Sequence, residues 1–257
     1  MIEVKGLYKS FESKPVLRDV SLQINDGETL AIIGRSGSGK SVLMKHLIGL
    51  LKPDRGRVLV DGIDINRIPY AGLRRVRRNF GVLFQGGALF DSMNAFENVA
   101  FPLRLFTLKS DQDIRREVMR CLQVVQLPDV GSKSPSELSG GMKKRVALAR
   151  AIALQPRYII YDEPTSGLDP ETSNTINELI KSLAERLDIT SIVVTHDMHS
   201  VLSIADRVAY IHATRMHWIG TVKELHESED FNLRSFVKAN EYFIGNMPFT
   251  ASQFCRL

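Results

Sequence analysis

The chain has 257 residues, 44% apolar and 25% charged, with a formal net charge of +5. That length buries a core without disulfide or metal staples, and the composition excludes intrinsic disorder, collagen and coiled coil as descriptions of the whole chain. The two cysteines, Cys121 and Cys255, make no disulfide framework and point to a reducing cytosol, while the small basic excess permits an acidic partner without requiring one.

In chain order, Met1-Ile2-Glu3-Val4-Lys5 lacks the apolar run of a secretory signal. No stretch of about 18 consecutive apolar residues occurs anywhere, so work at a membrane is expected to go through another chain. Leu30–Ile33, Arg57–Val60, Val82–Phe84, Tyr158–Tyr161, Ser191–Val194 and Val208–Ile211 read as strands: short, rich in β-branched residues and bounded by Gly, Asp or Pro. Several are continuously apolar, as strands covered on both faces are, and helical segments lie between them. The expected fold is α/β with a largely parallel central sheet.

Directly after the first of these strands, Gly34-Arg35-Ser36-Gly37-Ser38-Gly39-Lys40-Ser41 fits the phosphate-binding pattern G-x-x-x-x-G-K-[ST], and Val42, Leu43, Leu47 and Ile48 begin a helix. Glycines let consecutive N–H groups turn inward on phosphate oxygens, and the helix N-terminus adds its positive end. Lys40 is the expected contact to the β- and γ-phosphates, and the Ser41 hydroxyl a ligand of Mg²⁺. Further on, the basic run Arg74-Arg75-Val76-Arg77-Arg78 reads as a solvated helix face, or one near anionic head groups. It lacks the interleaved aromatics that stack on nucleic acid, so no nucleic-acid partner is expected. Gln85 ends the strand Val82–Phe84, where it can meet water or Mg²⁺.

From about Asn94 to Ser134 strand signals vanish, and Ile114, Val118, Cys121, Leu122 and Val125 recur at helical spacing. An all-helical insert is expected there, with the helical subdomain reaching residues 94–156. Leu138-Ser139-Gly140-Gly141-Met142 then caps a second helix and exposes its N–H groups, a second anion site. Two phosphate sites with one phosphate loop suggest a nucleotide shared between two copies. Tyr158–Tyr161 ends in Asp162-Glu163: Asp162 suits the hydration shell of Mg²⁺, and Glu163, one residue on, suits the attacking water. His196 ends Val193-Val194-Thr195, where the sheet's C-terminal edge meets the γ-phosphate. Taken singly, His196 and Gln85 carry no assignment. From about Glu224 the pattern is less regular, and Asn246-Met247-Pro248-Phe249 breaks any helix.

The order of these motifs resembles the nucleotide-binding subunit of ABC transporters over about residues 2–225. By that resemblance Gln85 is the Q-loop, Leu138–Met142 the signature, Asp162-Glu163 Walker B, Ser166-Gly167-Leu168-Asp169 the D-loop and His196 the switch histidine. Phe11 matches the aromatic that stacks on adenine, preferred to Tyr8 on its spacing to Asp19, and Val16 and Val42 join it at the nucleotide. The resemblance implies antiparallel N-terminal β elements beside the parallel sheet. It also implies catalytic roles for Glu163, His196, Gln85 and Lys40, and nucleotide contacts from Gly34 to Val42, Ser139, Gly140, Gly141 and Asp169. Ser41, Gln85 and Asp162 would hold Mg²⁺. Two copies would close head to tail on ATP, and a membrane permease would dock near Gly86–Leu105.

The signature departs from the family pattern at Met142, where Gln is usual. That form is similar to the ATPases of Mla-type phospholipid transporters, which work with MCE-domain proteins. The segments Gln85-Gly86-Gly87-Ala88-Leu89-Phe90-Asp91-Ser92-Met93-Asn94 and Glu97-Asn98-Val99-Ala100-Phe101-Pro102-Leu103-Arg104 resemble the same subgroup. The implied place is peripheral, on the cytoplasmic face of the inner membrane. Import or export of another small solute is the alternative. A soluble ABC ATPase would usually join two ATPase domains in one chain, and a P-loop kinase has no place for the signature, Q-loop or His196. Residues 1–225 are expected as the ATPase domain and 226–257 as an extension. Its Phe231, Phe236, Tyr242, Phe243, Ile244 and Phe249 are candidates for contact with the partner copy or a small regulatory subunit.

Overall fold

The computed structural model describes residues 1–241. The chain opens with a hairpin, β1 (Ile2–Phe11) and β2 (Lys14–Ile24), turned by Glu12 and Ser13 in left-handed backbone. It is followed by β3 (Thr29–Ile33), the phosphate loop and helix α1 (Lys40–Leu47). Next come β4 (Arg55–Val60), β5 (Ile63–Asp64), α2 (Tyr70–Arg77) and β6 (Phe80–Leu83). The helical insert follows as α3 (Ala95–Phe106), α4 (Asp111–Val124) and α5 (Gly140–Ile152). The chain then returns to the sheet with β7 (Tyr158–Asp162), α6 (Pro170–Leu187), β8 (Thr190–Val194), α7 (Met198–Ile204), β9 (Arg207–His212) and β10 (Arg215–Thr221). It ends in α8 (Val222–Glu227) and α9 (Phe231–Glu241).

Two sheets form. One is antiparallel, in the order β2-β1-β4-β5; the other runs β10-β9-β3-β8-β7-β6, parallel throughout except for β10 against β9. Strands β3, β7 and β8 are wholly or almost wholly buried, which explains their unbroken apolar runs: helices and the second sheet cover both faces. One core lies between the two sheets and around α1 (Leu7, Val20, Leu30, Ile32, Leu43, Ile160). A second fills the insert and reaches under β7 and α6 (Val99, Val118, Leu122, Val146, Ile159, Ile180).

Three expectations shift. Arg57–Val60 belongs to β4 in the antiparallel sheet, paired with β1, and not to the parallel one. The strand expected at Val82–Phe84 is Phe80–Leu83; Phe84 has left the ladder and is exposed. The region from Glu224 is not irregular as far as it is described: the expected boundary after residue 225 falls inside α8, and α9 follows. Leu225, Leu233 and Phe236 are buried there against Ala31, Met198, Val201 and Tyr210, while Phe231 is exposed. Helix α9 is short, and its helical spacing of Leu233, Phe236 and Val237 gains its burial only from these neighbours. Tyr242, Phe243, Ile244, Phe249 and the break at Asn246–Phe249 lie outside the described residues.

Candidate active site

Register brings the chemistry together. Ile32 pairs with Val194, and Val194 with Asp162, so β3, β8 and β7 end side by side. The loops that leave these three ends are Gly34–Gly39, Asp162-Glu163 and Thr195-His196. The C-terminal edge of a parallel sheet is where open α/β folds place ligands. A cleft of about 640 Å³ opens there, lined among others by Val16, Lys40, Ser41, Gln85, Glu163 and His196.

The phosphate loop is shaped for anions. Gly39, just before α1, has φ +104, and a Cβ there would meet the Val16 carbonyl at 2.9 Å. Only glycine fits, and the loop is pressed against β2. The Lys40 ammonium is buried and donates to the carbonyls of Gly34 (2.7 Å) and Arg35 (3.2 Å). Burial lowers its pKa, opposed by the charges of Glu163 and Asp162. The Ser38 hydroxyl is buried without a hydrogen-bond partner among the described residues. An ammonium met by backbone oxygens, an unspent hydroxyl and a helix N-terminus form a donor set that suits phosphate. The Ser41 hydroxyl and Asp162 carboxyl line the same cleft and supply the oxygen ligands a hard cation takes.

Across the cleft, Glu163 stands in left-handed backbone (φ +48), and its N–H donates to Val194 O at 2.8 Å. A non-glycine residue held there stores strain that the surroundings must override. One carboxylate oxygen lies 2.9 Å from His196 Nδ1, and the other accepts from Thr195 Oγ1 at 3.2 Å. Thr195 Oγ1 also accepts from the Asp197 N–H at 3.0 Å, so the hydroxyl fixes both the acid and the turn into α7. The Asp162 pKa is raised by burial and by neighbouring Glu163, and Lys40 opposes both. Gln85 faces the cleft and donates from Nε2 to Ser166 Oγ at 3.3 Å.

The remaining predicted residues lie elsewhere. Phe11 sits at the hairpin tip, 43% exposed, with the Lys9 ammonium over its ring, and it does not line the cleft. Ser139 caps α5, its hydroxyl accepting from the Met142 N–H at 3.3 Å, and Asp169 caps α6, accepting from the Thr172 N–H at 2.9 Å. Ser139, Gly140, Gly141 and Asp169 are not among the residues that line this cleft. Met142 packs against the insert's core. Sequence reasoning passed over Thr195 and Lys144, and also Thr165, which bonds Asp197 and Ser200. It also missed α9, whose Phe236, Ala239 and Asn240 line the cleft. Hydroxyls and a lysine in such segments carry no spacing signal of their own.

Fold and site together define a P-loop ATPase with an acidic pair, Asp162 and Glu163, at the end of the strand next but one to the phosphate loop. Residues 17–166 match the family model described as ABC transporter, and the chain belongs to that family. It is 44% identical over 238 residues to the intermembrane phospholipid transport system ATP-binding protein MlaF of Haemophilus influenzae, spanning 93% of this chain and 90% of that one. It is also 44% identical over 236 residues to a probable ribonucleotide transport ATP-binding protein, mkl, of Mycobacterium leprae, covering 92% of this chain and 68% of the other. A methionine import ATP-binding protein, MetN, of Clostridium tetani is 39% identical over 94% of this chain and 76% of its own. Among solved structures, a dimeric ATP-binding cassette in a post-hydrolysis state with ADP and Pi superposes with a TM-score of 0.80 at 33% identity, covering 86% of this chain and 99% of that one. The protein is therefore an ATP-binding subunit of a transporter, and its activity is ATP hydrolysis coupled to transport.

Proposed function

We propose that this chain energises phospholipid movement between membranes as a homodimer beneath a membrane permease, in a system that includes an MCE-domain protein. The observation that carries the reading is the likeness to MlaF, which runs nearly end to end in both chains. The dimeric cassette relatives support the paired state, and no described helix is long and apolar enough to cross a membrane, which suits a separate permease. The working place is then the cytoplasmic face of the inner membrane, and a small regulatory subunit completes the assembly.

In this reading Lys40 and the loop N–H groups take up phosphate charge, with Val16 and Val42 of the cleft beside the base and Phe11 meeting it from the hairpin tip outside the cleft. Mg²⁺, when bound, neutralises further phosphate charge, and Ser41, Gln85 and Asp162 hold it. Glu163 orients and polarises the attacking water, and His196, bonded to Glu163, stands over the γ-phosphate side. Ser139, Gly140, Gly141 and Asp169 serve the partner's nucleotide, which accounts for their absence from the lining of their own chain's cleft. The permease docks in an apolar groove of about 570 Å³ that includes Tyr70, Phe84, Phe90, Phe101 and Phe106. The groove lies beside the loop Gly86–Asn94. That loop is pinned by Arg150, which donates to the carbonyls of Gly87 (2.9 Å) and Ala88 (2.8 Å). Phe101 packs on Phe90 with the rings tilted and their centroids 4.9 Å apart, whereas Phe96 packs on the insert's core.

The test is co-purification with a membrane permease, followed by reconstitution in proteoliposomes. ATP-dependent movement of a labelled phospholipid, absent in Glu163→Gln, is the expected result. Movement of methionine instead would favour the second reading, which the methionine-import relative supports.

A further inference from the structure

We propose that Lys144 is a positioning residue: it ties the signature helix to the backbone that carries Glu163, so that the helix serving one nucleotide holds the base serving the other. The inference rests on the head-to-tail dimer proposed above and adds to it a connection inside each chain.

Lys144 lies on α5, one turn after Gly140 and Gly141, in a helix face that is otherwise small or apolar (Gly141, Ala147, Leu148). Its side chain is 5% exposed. The ammonium donates to Ser166 O at 2.6 Å and, more weakly, to Glu163 O at 3.4 Å. No carboxylate forms an ion pair with it among the described residues, and burial lowers its pKa, opposed by the Glu163 charge. A buried ammonium satisfied mainly by two carbonyls is costly, and a methionine of similar length would fill the space at lower cost in stability. The lysine is thus poorly explained by packing, and the two carbonyls it meets bracket the segment from Glu163 to Ser166.

That segment requires support. Glu163 is in left-handed backbone, and Ser166 also receives Gln85 at its hydroxyl. A bond from Lys144 to both ends of the segment fixes the pose of the Glu163 carboxylate relative to α5. The start of α5 is further seated on α6: a Cβ at Gly141 would run into Thr172 Cγ2, and one at Gly140 would touch Leu168 at 3.5 Å. Helix α5 and the Glu163–Ser166 turn therefore move as one body. Whatever engages Ser139 and Gly140 at the helix start shifts the carboxylate at the other site.

The test compares the full chain with Lys144→Met and Lys144→Arg. Hydrolysis rate, affinity for a fluorescent ATP analogue, ATP-driven dimerisation by sedimentation, and melting temperature are measured for each. For Lys144→Met we expect affinity within about twofold, a retained ATP-bound dimer, an unchanged or higher melting temperature, and kcat reduced about 10- to 100-fold, the scale of loss that misplacing a reacting group brings. Lys144→Arg, which can donate to both carbonyls, recovers most of the rate. An unchanged kcat in Lys144→Met overturns the proposal. So does a parallel loss of rate, dimer and melting temperature, which would make Lys144 a packing residue. A wild-type chain that hydrolyses ATP but never dimerises would instead overturn the dimer reading, a distinct result.

Discussion

At the scale of single residues, the cleft carries charge that folding disfavours. Burial raises the Asp162 pKa and lowers that of Lys40, so the surroundings disfavour the charged form of each. For Asp162 the sign follows directly. A carboxyl whose folded pKa lies above the unfolded value of 3.8 binds its proton more tightly in the fold, so stability falls as pH rises from below that value through the raised one. The ionised form then costs stability throughout the neutral range. We therefore expect Asp162→Asn, without nucleotide, to melt higher than the parent chain at pH 7.5. The gain should disappear as the pH approaches 4, and Mg²⁺-dependent hydrolysis should be lost. Melting curves across that range, beside an ATPase assay, check it; a lower melting temperature at pH 7.5 would contradict the assignment of strain to this acid. Such a trade between stability and activity is common where a site must hold charge.

At the scale of elements, one buried amide ties the helical insert to the loop that follows Gln85. Asn98, fully buried on α3, accepts from the Phe90 N–H at 2.8 Å. Its own amide donates to the carbonyls of Phe90, Met93 and Asn94 at 3.0–3.1 Å. Asn94 in turn caps α3 in a reciprocal box with Glu97. Removing the Asn98 side chain leaves buried backbone groups without partners, a cost of about 1–3 kcal/mol. Asn98→Ala should lower the melting temperature by a few degrees, leave nucleotide affinity of the isolated chain unchanged and weaken recovery of the permease in co-purification. Undiminished permease recovery would show that the loop holds its shape without the amide. This element also shows what the sequence disclosed. The phosphate loop and the Asp162-Glu163 strand end were legible because each follows an apolar strand, whereas His196 was assigned only through the resemblance; the register of β3, β8 and β7 brings the three ends together. Asn98, Thr195 and Lys144 were not: Asn98 and Lys144 bond backbone carbonyls, and Thr195 bonds the Glu163 carboxylate on another strand end, partners that no local spacing announces. The course of α9 was hidden for a related reason: only contact with Met198, Val201 and Tyr210 decides that Leu233 and Phe236 are core.

For the whole molecule, the question is why the start of α5, which the sequence reads as a second anion site, does not line the cleft that holds the phosphate loop. The cleft at the sheet edge lacks Ser139, Gly140, Gly141 and Asp169, yet the start of α5 exposes Ser139 and Gly140 at a helix N-terminus. The insert's core is continuous from α3 to β7, so α5 cannot swing to its own phosphate loop without opening that core. A second copy is the economical way to close the site, and the dimeric cassette relatives are paired. Placing a long cation at the helix start separates binding from closure. Ser139→Arg, built into a Glu163→Gln background so that nucleotide persists, should bind ATP with near-parent affinity through the phosphate loop. It should then fail to dimerise, because the guanidinium fills the space that the partner's phosphates require and removes the cap to the Met142 N–H. Sedimentation with ATP should give a monomer for the double variant and a dimer for Glu163→Gln alone. A dimer in both would mean that the two sites do not share a nucleotide, and the absence of the α5 start from the cleft lining would need another explanation.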